Sequence, residues 1–515
     1  MNAIATTIFG LLFIGVTILG FAASRWRKGD LNELHEWGLG GRRFGTFVTW
    51  FLLGGDLYTA YAFIAVPAFV FGAGAAGMFA IPYSTIVYLF GFVVLPRLWK
   101  TAKQHGYVTA ADFVEGRFGS RSLALAIAIT GVVSTLPYIA LQLIGLQVVI
   151  GALGFPTTGV VGELPIVVAF LILALYTYKA GLRAPAMISI VKDILIYVTI
   201  AVAIVIIPAR LGGFGHIFSA MSPAKILLRA PDASSLQGYS AYASLAIGSV
   251  LACFLYPQSV TAVFAANSGK TVRRNMAMMP AYTIVIGLIA LLGVMAVVSG
   301  VKDMPEFVPF FKAYGANFAV PALFLHFFPS WFVGIAFAAI GIGALVPAAI
   351  MSIAAANLYA RNIHRPLFNP DVSPQRQTQI AKLTSLVIKA GAVVVVIALP
   401  LTYAIQLQLL AGVWIVQTLP AVIIGLYTRF FDHRALLSGW FVGVVSGTWM
   451  VASLNFASSL YSVRFFGVAV PAYAAIWALG LNLLAALAVG LITRHVDKLR
   501  GRSPVLTPDD MMDAA

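Results

Sequence analysis

Two glycines and a carboxylate, Gly54-Gly55-Asp56, sit inside an apolar run that reads Trp50-Phe51-Leu52-Leu53 before them and Leu57-Tyr58-Thr59-Ala60 after them. An acid at hydrocarbon depth costs about 2.5–3.5 kcal/mol, so it needs a role. Each glycine weakens a helix by roughly 1 kcal/mol relative to alanine and permits backbone that a helix forbids. The pair therefore predicts a break with free carbonyls and amides, a place for a cation or a polar solute. Asp56 has two available roles there, a coupling site for an ion or proton, or a cap on the free amides of the half-helix that follows. A second interruption reads Phe254-Leu255-Tyr256-Pro257-Gln258-Ser259, where proline removes a helix hydrogen bond among polar neighbours. A half-helix starting at Pro257 aims its positive end at an anionic group. Tyr58, Thr59 and Tyr61 after the first break, and Tyr256, Pro257 and Gln258 at the second, are the candidate solute contacts. Gln142 and Gln417 join them from other apolar runs, with helix-to-helix hydrogen bonding as their alternative.

The elements that carry these residues are membrane spans. The chain has 515 residues, is 61% hydrophobic and only 10% charged, and has a mean hydropathy of +0.94, too apolar for a soluble protein of this length. The net charge of +16 falls between apolar runs instead of forming a stripe interleaved with aromatics, which excludes a nucleic-acid partner. The single cysteine, Cys253, rules out a disulfide framework or thiolate cluster. The seven histidines fall in loops or near span ends, so no haem or metal pair is set inside the membrane. No phosphate-binding loop or nucleophile elbow is present, and the expectation is a protein that is not an enzyme and holds no cofactor beyond a coupling ion. Lys389 is placed to snorkel to an interface, and Asp193 beside Lys192 reads as a structural pair near that same interface.

Runs of about 20 apolar residues number roughly thirteen. They lie near 2–22, 46–71, 76–98, 122–152, 162–178, 187–210, 241–267, 276–300, 331–361, 380–403, 406–428, 434–457 and 467–494. An outside amino terminus puts Arg25, Arg27, Lys28, Arg42, Arg43, Lys100, Arg117, Arg183, Arg273, Arg361, Arg429, Arg434, Arg494, Arg500 and Arg502 at the cytoplasmic face. Arg210, Lys225, Arg229, Lys302, Lys312 and Arg464 then lie outside, the asymmetry that the positive-inside rule expects. The connections 211–240 and 301–330 read as external, carrying short helices that act as lids. The tail 496–515 is expected to be cytoplasmic and too short for a folded output domain. The two breaks lie about 200 residues apart, each opening a set of five spans, over 46–210 and 241–430. An odd number of spans inverts the second set relative to the first. Segment 1–45 adds a span before them, and 431–495 adds two after. Paired interrupted spans in two inverted halves point to a transport site at their interface.

Four segments carry a resemblance to the sodium:solute symporter family over roughly residues 10 to 495. They are Gly38-Leu39-Gly40-Gly41-Arg42, Tyr107-Val108-Thr109-Ala110-Ala111-Asp112-Phe113-Val114-Glu115-Gly116-Arg117-Phe118-Gly119, Gly181-Leu182-Arg183-Ala184 with Asp193, and Arg273-Arg274. The stretch from Ala344 to Leu358 most resembles the bacterial monocarboxylate permeases within that family. The resemblance implies an all-α, leucine-transporter-like fold of two inverted repeats, alternating access, and uptake of short carboxylates such as pyruvate, lactate, acetate or propionate. It implies a bacterial cytoplasmic membrane and no obligate protein partner. Proline transporters of the family have an aspartate matching Asp56 beside their sodium site, which makes the carbonyls of Gly54 and Leu57 expected ion ligands. The family also uses adjacent hydroxyls on the ninth span, where this chain has Val346 and Pro347, and Ser352 lies nearly two turns further along. A hard cation wants several oxygens, whereas a proton needs one carboxyl group. Proton coupling through Asp56 is thus the first expectation. Sodium coupling with another small solute, such as proline, alanine or pantothenate, is the alternative, and a membrane sensor is a third reading.

Overall fold

The computed structural model describes residues 2–26, 29–156, 159–398, 404–428 and 430–499. The expected cytoplasmic residues Arg27, Lys28, Arg429, Arg500 and Arg502, and the tail from 500 onward, lie outside them. Each apolar run carries helix. In chain order these are α1 (Ala3–Ala22), α2 (Thr46–Gly55), α3 (Val66–Ala73), α4 (Ala80–Gln104), α5 (Arg121–Ala152), α6 (Gly159–Ala180) and α7 (Arg183–Arg210). They continue with α8 (Gln237–Cys253), α9 (Pro257–Ala265), α10 (Pro280–Val298), α11 (Ser330–Leu358), α12 (Pro374–Ala398), α13 (Ile405–Ile415), α14 (His433–Ala452) and α15 (Ala474–Leu499).

Among the described residues, ten helices are long and apolar enough to cross a membrane, or twelve when each of two bent pairs is one span. The difference from roughly thirteen expected spans has visible causes. Tyr61–Gln104 forms one stretch of 44 residues, while Thr46–Gly55 and Leu164–Ala180 are shorter apolar helices. Val308–Phe327, in a connection expected to lie outside, is itself apolar enough to count. Its last part, Ala319–Phe327, buries Val320, Leu323 and Phe324, so this segment packs into the bundle more deeply than a surface lid. The run near 467–494 opens as a strand: Leu460–Phe465 and Val468–Tyr473 form an antiparallel hairpin before α15.

Both breaks are present. α2 ends at Gly55, and Asp56 to Thr59 are turn before a five-residue π-helical stretch, Tyr61–Ala65, resumes the span into α3. Between α8 and α9 the chain bends by 47°, with Tyr256 in extended backbone and Pro257 opening α9, where its missing N–H costs nothing. α7 and α11 pack against this core, α7 behind α2 and α11 beside α9.

Candidate functional site

The two breaks meet. Ser259 Oγ, in the first turn of α9, donates a 2.8 Å hydrogen bond to Asp56 Oδ2, and Gln258 lies against the same carboxylate. Asp56 Oδ1 is buried and, among the described residues, has no hydrogen-bond partner. The positive end of α9 and the carboxylate face one another, the pairing that a helix dipole favours. Asp56, Leu57, Cys253, Phe254 and Ser259 share a cavity of about 10 Å³, the room of one water-sized sphere. The joint is closed in this state, with room for no more than a water-sized group.

The backbone freed by the first break is satisfied by two long-range side chains, Gln142 and Lys192, with Tyr282 supporting them. Gln142 Oε1, from α5, accepts from Ala60 N at 3.1 Å. Lys192 Nζ, from α7, donates to Gly55 O at 2.9 Å and Tyr58 O at 2.8 Å, and lies 3.0 Å from Asp193 Oδ1. Tyr282, from α10, donates to Asp193 Oδ2 at 2.9 Å, and its backbone oxygen accepts from Tyr58 Oη at 3.0 Å. Gly54 has to be glycine, because a Cβ there would lie 1.9 Å from Tyr282 Cζ.

The other expected residues fall as follows. Gly54 O accepts from Leu57 N at 2.9 Å and Tyr58 N at 3.0 Å, so the carbonyls that meet a cationic group are those of Gly55 and Tyr58. Leu57 lines the cavity with its side chain. Thr59 Oγ1 accepts from Tyr61 N at 2.9 Å, shaping the turn, and the Tyr61 ring packs against Tyr83. Tyr256 donates to Gln408 O at 3.0 Å, fixing the second break to α13. Ser352 turns back to Ala349 O at 2.9 Å and faces Ser385 on α12, so its hydroxyl is engaged away from the break. Gln417 contacts Val413 O and Asn482 on α15: it is a link between helices, the alternative reading for this residue. Lys389 is buried and donates to Ser385 Oγ at 2.7 Å, without snorkelling. The Lys192–Asp193 pair is wholly buried, 0% exposed on both sides, and not at an interface. Its contact with the break was invisible in the sequence, because only the packing of α7 behind α2 brings residue 192 to residues 55 and 58.

The end of the bundle that carries the loop segments around Asp112 and Glu36 is locked by their side chains. Thr109 and Asp112 form a capping box on the helix Ala110–Phe118. Asp112 also pairs with Arg361 Nε at 2.6 Å and accepts from Asn362 Nδ2 at 2.8 Å, below the end of α11. Arg117 Nε donates to Gly425 O at 2.9 Å. Glu36 pairs with Arg43 and Arg183; burial pushes its carboxyl up, but the hydrogen bonds from the two arginines hold it below the ordinary carboxylate range. At the other end of the first broken span, Phe71 and Gly72 border a cavity of about 750 Å³ with Lys225, Lys302, Asp303 and Lys312 on its wall, a mouth with excess positive charge. A narrow crevice of about 20 Å³ follows α9 from Pro257 to Thr109 and Ala110.

The sodium:solute symporter family model matches residues 37–447. A monocarboxylate transport permease protein of Rhizobium johnstonii is 50% identical over 497 residues, covering 96% of this chain and 97% of that protein. The uncharacterized symporter YodF of Bacillus subtilis is 31% identical over 508 residues, covering 98% and 96%. Among solved structures, a Na+-coupled sialic acid symporter in a substrate-bound, outward-open state superposes with a TM-score of 0.75 at 14% identity, covering 95% of this chain and 98% of that one. That likeness shows the fold, a leucine-transporter-like pair of inverted repeats with a broken first helix in each.

Proposed function

This chain belongs to the sodium:solute symporter family and is a multi-pass membrane symporter, and on that premise we propose that it takes up small monocarboxylates of the pyruvate, lactate, acetate and propionate type together with a proton. The observation that carries the coupling half is the bond from Ser259 Oγ to Asp56 Oδ2. One carboxyl group ties the two broken spans together, so gaining or losing a proton there changes the bond that joins them. A proton on Asp56 weakens the acceptor that Ser259 and the positive end of α9 face. Alternating access then follows from the state of one atom pair, with substrate and proton leaving together.

The substrate half is supported by the name of the Rhizobium johnstonii relative and by charge. A single half-helix start suits one carboxylate, and the lysine-bearing outer mouth draws anions toward the first broken span. Gln258 and Tyr256, at the start of α9, are the proposed solute contacts, with Pro257 setting that start; Tyr58, Thr59 and Tyr61 shape the opposite wall. We place the protein in a bacterial cytoplasmic membrane with its amino terminus outside and its carboxy terminus cytoplasmic, and the crevice from Pro257 to Thr109 serves as the inward exit.

The test is uptake of labelled pyruvate into proteoliposomes under separately imposed proton and sodium gradients, with lactate, acetate, proline and pantothenate as competitors. Acid-driven uptake inhibited by lactate and acetate supports the proposal. Uptake that needs sodium sinks the proton half, and inhibition by proline alone sinks the monocarboxylate half.

A further inference from the structure

The buried cation nearest the first break belongs to the protein itself. A lysine ammonium has three N–H donors and no acceptor, and Lys192 Nζ has three oxygens around it: Gly55 O at 2.9 Å, Tyr58 O at 2.8 Å and Asp193 Oδ1 at 3.0 Å. The two carbonyls are three residues apart at the carboxy-terminal end of α2, where helix carbonyls lose their own partners and the dipole is negative. Burying an ammonium is costly unless it is paired and hydrogen-bonded, and here the pairing is complete. α11 closes the same corner without a hydroxyl. Gly343 passes by Tyr58 O and Ile196, and the next positions on that face, Val346 and Pro347, carry no side-chain oxygen. Pro347 further leaves Gly343 O without its usual helix donor. Oxygens from the end of α2 and from α7 thus converge on one point, and a nitrogen stands among them.

We infer that the Lys192 ammonium is a tethered cation occupying the carbonyl site of the first break, in the place where a soluble monovalent cation would otherwise bind. The inference rests on the broken spans being the coupling site. It makes sodium unnecessary in the unaltered protein, because the carbonyls already hold a positive charge that cannot diffuse away. Asp56 and Asp193 are the acidic neighbours of the ammonium, with Tyr58 and Tyr282 beside them. Removing the ammonium leaves Gly55 O, Tyr58 O and the Asp193 carboxylate facing one another. Those are hard oxygen ligands suited to a hard cation.

Thermal melting of the purified full chain in sodium chloride against choline chloride of equal ionic strength tests this directly. The unaltered protein is expected to melt at the same temperature in both salts. Lys192→Ala is expected to melt lower in choline and to be raised by sodium, and its uptake in choline to fall by about tenfold or more, the loss of at least one charge-assisted hydrogen bond. Lys192→Arg, which keeps a cation on the carbonyls, is expected to melt alike in both salts. A sodium-induced rise in the unaltered protein or in Lys192→Arg overturns the inference, as does Lys192→Ala melting identically in both. If Lys192→Ala does not fold, the other two proteins decide the matter. Melting needs no transported solute, so failure of the monocarboxylate reading leaves this result legible, and failure of the proton reading shows separately in the uptake assay.

Discussion

Replacing Gly54 with alanine tests the geometry of the break most sharply. The new Cβ lies 1.9 Å from Tyr282 Cζ and 2.1 Å from its hydroxyl oxygen, against the roughly 3.5–4.0 Å that carbon contacts require. Tyr282 has little room to yield. Its hydroxyl donates to Asp193 at 2.9 Å, and its ring sits 4.4 Å from that of Tyr58 and 4.9 Å from that of Trp50. Overpacking costs about 1–3 kcal/mol, and displacing the ring forfeits a charged hydrogen bond of about 1.5–3 kcal/mol. Alanine returns about 1 kcal/mol as the better helix former. The net expectation is a loss of about 1.5–5 kcal/mol, by the same estimates. In a Tyr282→Ala background the clash is gone and only the propensity gain remains, so there Gly54→Ala is expected to stabilise by about 1 kcal/mol. Thermal melting of the four proteins in one detergent reads this change of sign as a double-mutant cycle. Gly54→Ala melting with the unaltered protein, or costing as much in the Tyr282→Ala background as beside the intact ring, refutes the reasoning.

Two further outcomes follow from side chains already placed, and a third from the charge at the lysine-bearing mouth. Gln142→Leu leaves the Ala60 amide without its acceptor at a cost of about 1–3 kcal/mol, and the pyruvate uptake rate is expected to fall. Gln417→Leu cuts a helix-to-helix link to Asn482, so it is expected to lower the melting temperature and leave KM for pyruvate unchanged. Lys302→Ala combined with Lys312→Ala removes charge from the lysine-bearing mouth, and is expected to raise KM by roughly twofold to tenfold at low ionic strength with the maximal rate intact. That rise shrinks as salt screens the mouth over a Debye length of about 8 Å, and an effect independent of salt counts against steering.

Both broken spans were legible from local chemistry, because Gly54-Gly55 and Pro257 act on their own backbone whatever surrounds them. The apolar runs likewise marked helices, since lipid demands internal hydrogen bonding of any span. Partnerships across the fold were not legible. Lys192 and Asp193 are adjacent letters near the start of α7, and nothing in their spacing reports that α2 breaks in front of them. Gln142 and Gln417 look alike in sequence, yet one caps the break and the other ties α13 to α15. The carbonyl register shows the same limit: Gly54 and Leu57 were the expected ligands, but Gly54 O is spent on the amides of Leu57 and Tyr58, which moves the open pair to Gly55 and Tyr58. The strand at Val468–Tyr473 was hidden because its apolar residues read as the start of a span.

Asp56 is the group proposed to couple the two broken spans through its proton. The most direct measurement is pyruvate accumulation by Asp56→Asn in proteoliposomes under an imposed proton gradient, beside counterflow of labelled pyruvate in the same vesicles. Asparagine keeps the shape and an oxygen for Ser259 but takes up no proton. The prediction is that accumulation collapses while counterflow continues. Accumulation at the level of the unaltered protein would contradict the coupling role and leave Asp56 as a structural cap.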